Sequence, residues 1–81
     1  MLDLEGFREW LKSNTTYSEN VIGNTVSRMK RADSILEWDG NKAYIFFLCE
    51  TDEFAALSTS VRSQLRKAVK LYQSFSKSQS E

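Results

Sequence analysis

The sequence predicts an all-α fold, one compact bundle of four to five helices. Three observations predict it. Proline is absent and glycine occurs only at 6, 23 and 40, so helix breakers are rare. Apolar residues recur at helical spacing along most of the chain. One run, Tyr44-Ile45-Phe46-Phe47-Leu48, could equally be a strand by periodicity, but no alternating partner strand exists elsewhere. At 81 residues and 41% hydrophobic content the chain is expected to hold one modest core. The expected domain covers residues 1–76, with 77–81 a polar tail or the start of a linker.

The first helix is expected over Leu4–Ser13. Asp3 is placed to cap it, and Glu5 lies near the positive end of its dipole. Leu4, Phe7, Trp10 and Leu11 form its apolar face, and Asn14-Thr15-Thr16 interrupts the pattern. The second helix starts near Ser18 and is expected to be the longest. Either Ser18 caps it, or Thr16 does with Glu19 in a capping box. Its inward face reads Val21, Ile22, Thr25, Met29, Ala32, Ile35 and Leu36, flanked by Arg28, Lys30 and Arg31. Trp38-Asp39-Gly40-Asn41 is a turn by composition.

A third helix is expected from Asn41 to Glu50, capped by Asn41. It is apolar nearly all round, which marks it as the central buried helix. Thr51-Asp52-Glu53 marks a break, and Phe54–Leu57 a short helical turn or hydrophobic linker. The last long helix runs from about Thr59 to Ser76. Val61, Leu65, Ala68, Val69, Tyr72 and Phe75 share one side of it at about 100° per residue. Arg62, Arg66 and Lys70 fall on another side, with Lys67 beside them. The second and last helices echo each other at an offset of 40: Ser18 matches Ser58, Val21 matches Val61, Lys30 matches Lys70 and Ser34 matches Ser74. Two helix–turn–helix halves packed face to face would satisfy both stripes.

Net charge is zero but unevenly spread. Residues 1–57 carry six cations and ten acids, and residues 58–81 carry five cations and one acid. A helix that buries one face and offers four cations on the other suits an anionic partner, double-stranded DNA first. Other chemistry finds few residues. There is no histidine for acid–base or metal work and no glycine-rich phosphate loop. Glu50, Asp52 and Glu53 lack EF-hand spacing and read as loop acids and helix caps. No serine has a candidate base. No enzyme activity, cofactor or metal site is expected. Tyr72 lies on the apolar face of its helix and reads as core. The single cysteine, Cys49, reads as a small buried apolar residue in a reducing compartment. No signal-peptide pattern is present and the longest apolar run is too short to span a membrane, so a cytoplasmic protein is expected.

Two segments carry a family likeness. Phe7-Arg8-Glu9-Trp10-Leu11 followed by Tyr17-Ser18-Glu19-Asn20-Val21-Ile22 is the first. The second runs from Leu57-Ser58-Thr59-Ser60-Val61 through Leu65-Arg66-Lys67 to Leu71-Tyr72-Gln73-Ser74-Phe75. Together they resemble the N-terminal core-binding domain of tyrosine recombinases (phage integrases), a small SAM-like helical fold. Val21 and Val61 stand where that family often has Thr or Ile. The resemblance implies a domain that grips one face of a DNA duplex through its second and fourth helices. It assigns contacts to Arg28, Lys30 and Arg31 on one helix and to Arg62, Arg66, Lys67 and Lys70 on the other. The family's catalytic arginines, histidine and tyrosine nucleophile have no counterpart motif. The chain is therefore expected to be a fragment of a longer protein or a stand-alone relative that binds without cutting. A protein-interaction module of phage or mobile-element type, a regulator or inhibitor docking an acidic protein, is the alternative. A domain that only packs within a larger chain or a homo-oligomer is the third.

Overall fold

The computed structural model describes residues 2–79. It contains α1 (Leu4–Asn14), α2 (Glu19–Ile35), α3 (Tyr44–Cys49), α4 (Asp52–Ala55) and α5 (Thr59–Gln79), with no strand among the described residues. The fold is an all-α five-helix bundle.

Side-chain caps start most of these helices. The Asp3 carboxylate accepts from Gly6 N–H at 2.9 Å and opens α1. Ser18 Oγ accepts from Val21 N–H at 3.3 Å, so Ser18 and not Thr16 is the cap of α2. Ser58 Oγ accepts from Val61 N–H, also at 3.3 Å, which repeats the arrangement at α5. Thr51 Oγ1 accepts from Phe54 N–H at 3.2 Å and opens α4 at Asp52, two residues before the expected turn.

The two long helices pack chiefly on each other, and α1 lies across them, mostly against α2. Their stripes meet in the core: Ile22, Thr25, Val26, Met29 and Ala32 from α2, and Leu65, Ala68, Val69, Tyr72 and Phe75 from α5. Thr25 is buried among them, and its hydroxyl donates to the Val21 carbonyl at 2.8 Å. An aromatic chain binds the elements together. Phe7 meets Tyr72 at 5.0 Å between ring centroids, Tyr72 meets Trp38 at 5.2 Å and Trp38 meets Tyr44 at 4.9 Å, all edge to face. Tyr72 is core, as expected, and its hydroxyl accepts from Asp3 N–H at 2.9 Å.

Several expectations are corrected. Trp38 is not a mere turn residue. Its backbone N–H donates to Asp33 Oδ1 at 2.8 Å, and its ring is buried against Tyr44 and Tyr72. Val21 is exposed, and Val26 takes a core place instead. The longest helix is α5, of 21 residues against 17 for α2. It runs on through Gln79, past the expected end at Ser76, because nothing in Ser76-Lys77-Ser78-Gln79 breaks a helix. Ser80 and Glu81, the rest of the expected tail, lie outside the described residues.

The largest correction concerns α3. It spans only six residues and is not a central buried helix. Asn41 does not cap it; Asn41 Oδ1 accepts from Ala43 N–H at 2.8 Å and closes the preceding turn, where Gly40 takes φ +77°. Tyr44 and Leu48 are buried, Ile45 and Cys49 half-buried, and Phe46 and Phe47 exposed. The body measures 34 × 28 × 15 Å. A helix this short, held in the core by Tyr44 and Leu48 four residues apart on one side, leaves its other side to solvent. The Tyr44 hydroxyl fixes α3 to the end of α2 by donating to the Leu36 carbonyl, with the Ala32 carbonyl at 3.1 Å. Burial, helped by Asp33 and then Asp39, pushes this hydroxyl up to about 12.

Candidate nucleic-acid interface

Helix geometry decides what the cations of α5 can do together. At about 100° per residue, Arg62, Arg66, Lys70, Gln73 and Lys77 fall within an arc of about 80°. The buried residues Leu65, Ala68, Val69, Tyr72 and Phe75 occupy a separate arc of about 120°. The result is a cationic ridge along one flank, about 22 Å from Arg62 to Lys77 at 1.5 Å per residue. Sequence reasoning missed Lys77 as part of it, because that residue falls in the expected tail. The breaker-free run after Phe75 was the signal that could have placed it.

The guanidinium groups of the ridge lean back over their own helix. Arg62 Nη2 donates to Thr59 Oγ1 at 3.3 Å, and Arg66 Nη2 donates to Ser63 Oγ at 3.4 Å. Each contact uses one of five N–H donors. Arg62 Nε is buried with no hydrogen-bond partner. At its far end the ridge borders an open cleft of about 650 Å³. Trp38, Asn41 and Lys42 line one side of it, and Gln73, Ser76 and Lys77 the other. Lys42, which the acidic composition of residues 1–57 disguised, thus stands beside the end of the ridge.

Lys67 sits apart from the ridge. It and Gln64 face a narrow groove between the long helices, opposite Arg28, Thr25 and Val21 of α2. Its ammonium lies 6.0 Å from the centroid of the Tyr17 ring, at the edge of cation–π reach. Arg28 and Lys67 are therefore brought together across the groove. The α2 cations do not stay together. Arg28 and Lys30 are about 160° apart around the helix, on opposite flanks of the buried stripe, with exposed Arg31 on the outer side.

None of Arg28, Lys30, Arg31, Arg62, Arg66, Lys67 and Lys70 lies within 4.0 Å of a carboxylate among the described residues. Lys12 does pair, with Glu9 at 4.0 Å and Glu19 at 3.6 Å, across the junction of α1 and α2. These exposed pairs add little stability. No group of three or more acidic or cysteine side chains is placed to hold a metal ion among the described residues. Among the same residues, no helix is long and apolar enough to cross a membrane. The chain matches no family model, no curated protein and no solved structure.

Proposed function

We propose that this chain is a noncatalytic, cytoplasmic DNA-binding helical domain of the recombinase core-binding type, which grips duplex DNA along the outer flank of α5 without a cofactor. One observation carries the reading. Arg62, Arg66 and Lys70 share a flank beside the buried stripe, the arginines half-exposed and the lysine exposed, and have no carboxylate partner among the described residues. Cations held unpaired in a row suit a row of phosphates, whose neutralisation releases condensed counterions. Arg28 and Lys67 extend the charge across the groove to α2. The buried, unsatisfied Nε of Arg62 adds to the case, since a swing of that side chain toward a phosphate relieves it. Phosphate contacts supply most of the affinity, and an arginine reaching a guanine edge supplies whatever sequence preference exists.

The test is a gel-shift titration with the double variant Arg62→Ala, Arg66→Ala. The variant is expected to keep its helical circular dichroism and lose the shift. Unchanged affinity would remove α5 from the interface. One phosphate contact from each of the five cations Arg62, Arg66, Lys70, Arg28 and Lys67 gives a slope of about −4.5 in log affinity against log salt.

Zero net charge favours a second reading, in which the same cations dock an acidic protein surface and the chain acts as a regulator or inhibitor of phage or mobile-element type. Failure to bind DNA or heparin even at low salt would select it.

A further inference from the structure

Phe46 and Phe47 are the least explained residues of the fold. Phe46 is 62% exposed and Phe47 47%. Their rings meet edge to face at 5.6 Å between centroids and form one continuous apolar surface. They are not on a loose segment. Tyr44 and Leu48 anchor the opposite side of α3 in the core, and the Tyr44 hydroxyl ties the helix to the end of α2. A rigid, outward pair of phenyl rings marks an interaction site more than a packing remnant.

The charge around the pair says what covers it. Between Lys42 and Arg62 the chain carries no cation and three acids, Glu50, Asp52 and Glu53, all exposed. Glu50 follows Phe46 and Phe47 by four and three residues, within one helical turn, and its N–H bonds the Phe47 carbonyl at 3.1 Å. None of the three carboxylates lies within 4.0 Å of a cation among the described residues. Glu50 beside the rings and Asp52 and Glu53 on the next helix make this side of the chain acidic and disfavour DNA there. The same charge also opposes a two-fold pairing of Phe46 and Phe47 with a second copy, which would press two acidic rims together. A head-to-tail contact fares no better, because among the described residues the other exposed large apolar side chain is Val21.

We propose that the outer face of α3 docks a basic amphipathic helix of a partner protein, with apolar residues over Phe46 and Phe47 and lysines or arginines against Glu50, Asp52 and Glu53. This is helix-on-apolar-face recognition with electrostatic selection of the partner. It does not depend on the DNA reading, since it uses none of the cations of α5.

The probe is a dye-labelled Leu–Lys amphipathic helical peptide, titrated into the full chain by fluorescence anisotropy. Two control peptides accompany it, a Leu–Glu peptide with the same apolar positions and a scrambled Leu–Lys peptide. The Leu–Lys helix is expected to bind at least about tenfold tighter than either control. Phe46→Ser with Phe47→Ser is expected to weaken it at least about tenfold. Because both rings are exposed, that variant is expected to keep its helical circular dichroism. Glu50→Gln, Asp52→Asn and Glu53→Gln together are expected to weaken binding about fivefold and flatten its salt dependence. Equal binding of the Leu–Glu peptide, or no effect of the phenylalanine substitutions, overturns the proposal. So does a wild-type dimer in sedimentation that the double phenylalanine variant abolishes.

Discussion

Helices α2 and α5 are built on one plan and used in opposite ways. Each opens on a serine cap with the same geometry, and each sends a stripe into the shared core. At an offset of 40 the stripes register, Thr25 with Leu65, Met29 with Val69 and Ala32 with Tyr72, all buried. The helices part on the neighbouring flank. There α2 carries Ile22, Val26 and Lys30, where α5 carries Arg62, Arg66 and Lys70. Ile22 and Val26 are buried, and α1 covers α2 more than α5. The same flank of α5 keeps its arginines half-exposed and its lysine exposed. A flank with a helix to lie under became core, and a flank without one became a charged surface.

Exchanging residues across this register is the strongest way to break the comparison. Ile22→Arg forces a charge into a site that is 2% exposed, and is expected to cost at least about 3 kcal/mol. Arg62→Ile, the reciprocal change, is expected to alter stability by less than about 1 kcal/mol. Urea unfolding of both variants measures the contrast, and equal tolerance would mean the two flanks are not distinct. Next in size is a charge reversal. Arg66→Glu should weaken DNA binding about a hundredfold at low salt, and Lys30→Glu, isolated on the far flank of α2, less than about threefold. Similar losses would return Lys30 to the interface.

The helix ends differ as well, and smaller effects test them. The Tyr44 hydroxyl closes the last carbonyls of α2. Its pKa is raised from 10.0 to about 12 by burial first and by Asp33 and Asp39 after it. The folded form therefore disfavours ionisation. The resulting stability is complete below pH 10 and is lost as pH rises through about 12. Tyr44→Phe should lower stability at neutral pH by about 1–2 kcal/mol and shrink the alkaline loss. Denaturant midpoints from pH 7 to 11.5 read both changes. The smallest effect concerns Gly23, which stands in α2 where α5 has Ser63. A Cβ at Gly23 meets nothing within 4 Å, so Gly23→Ala should stabilise the domain by about 0.5–1 kcal/mol. A thermal melt of the variant should rise.

Much of this architecture was legible in the chain. Caps at Asp3, Ser18 and Ser58, the stripes of α1, α2 and α5, and the absence of breakers are local properties, and local spacing reports them well. Arg62, Arg66 and Lys70 were legible as one face because four-residue spacing alone puts them there. Other features were not. Trp38 reads as a turn residue, and only its contacts with Tyr44 and with Tyr72, distant along the chain, place its ring in the core. Val21 and Val26 are both apolar, and only the packing of the other helices around α2 decides which one is buried. Lys42 meets the end of the ridge through a loop whose path no periodicity encodes.

The sequence by itself determined that the chain is helical, where its long helices begin, and that its last helix separates oil from charge, because each is set by residues within a turn or two of one another. Only the tertiary structure decided that Arg28 faces Lys67 across the groove, that Lys42 stands beside the end of the ridge, and that Phe46 and Phe47 face outward. Those outcomes depend on which flank another element covers, and coverage is settled by packing between segments distant along the chain.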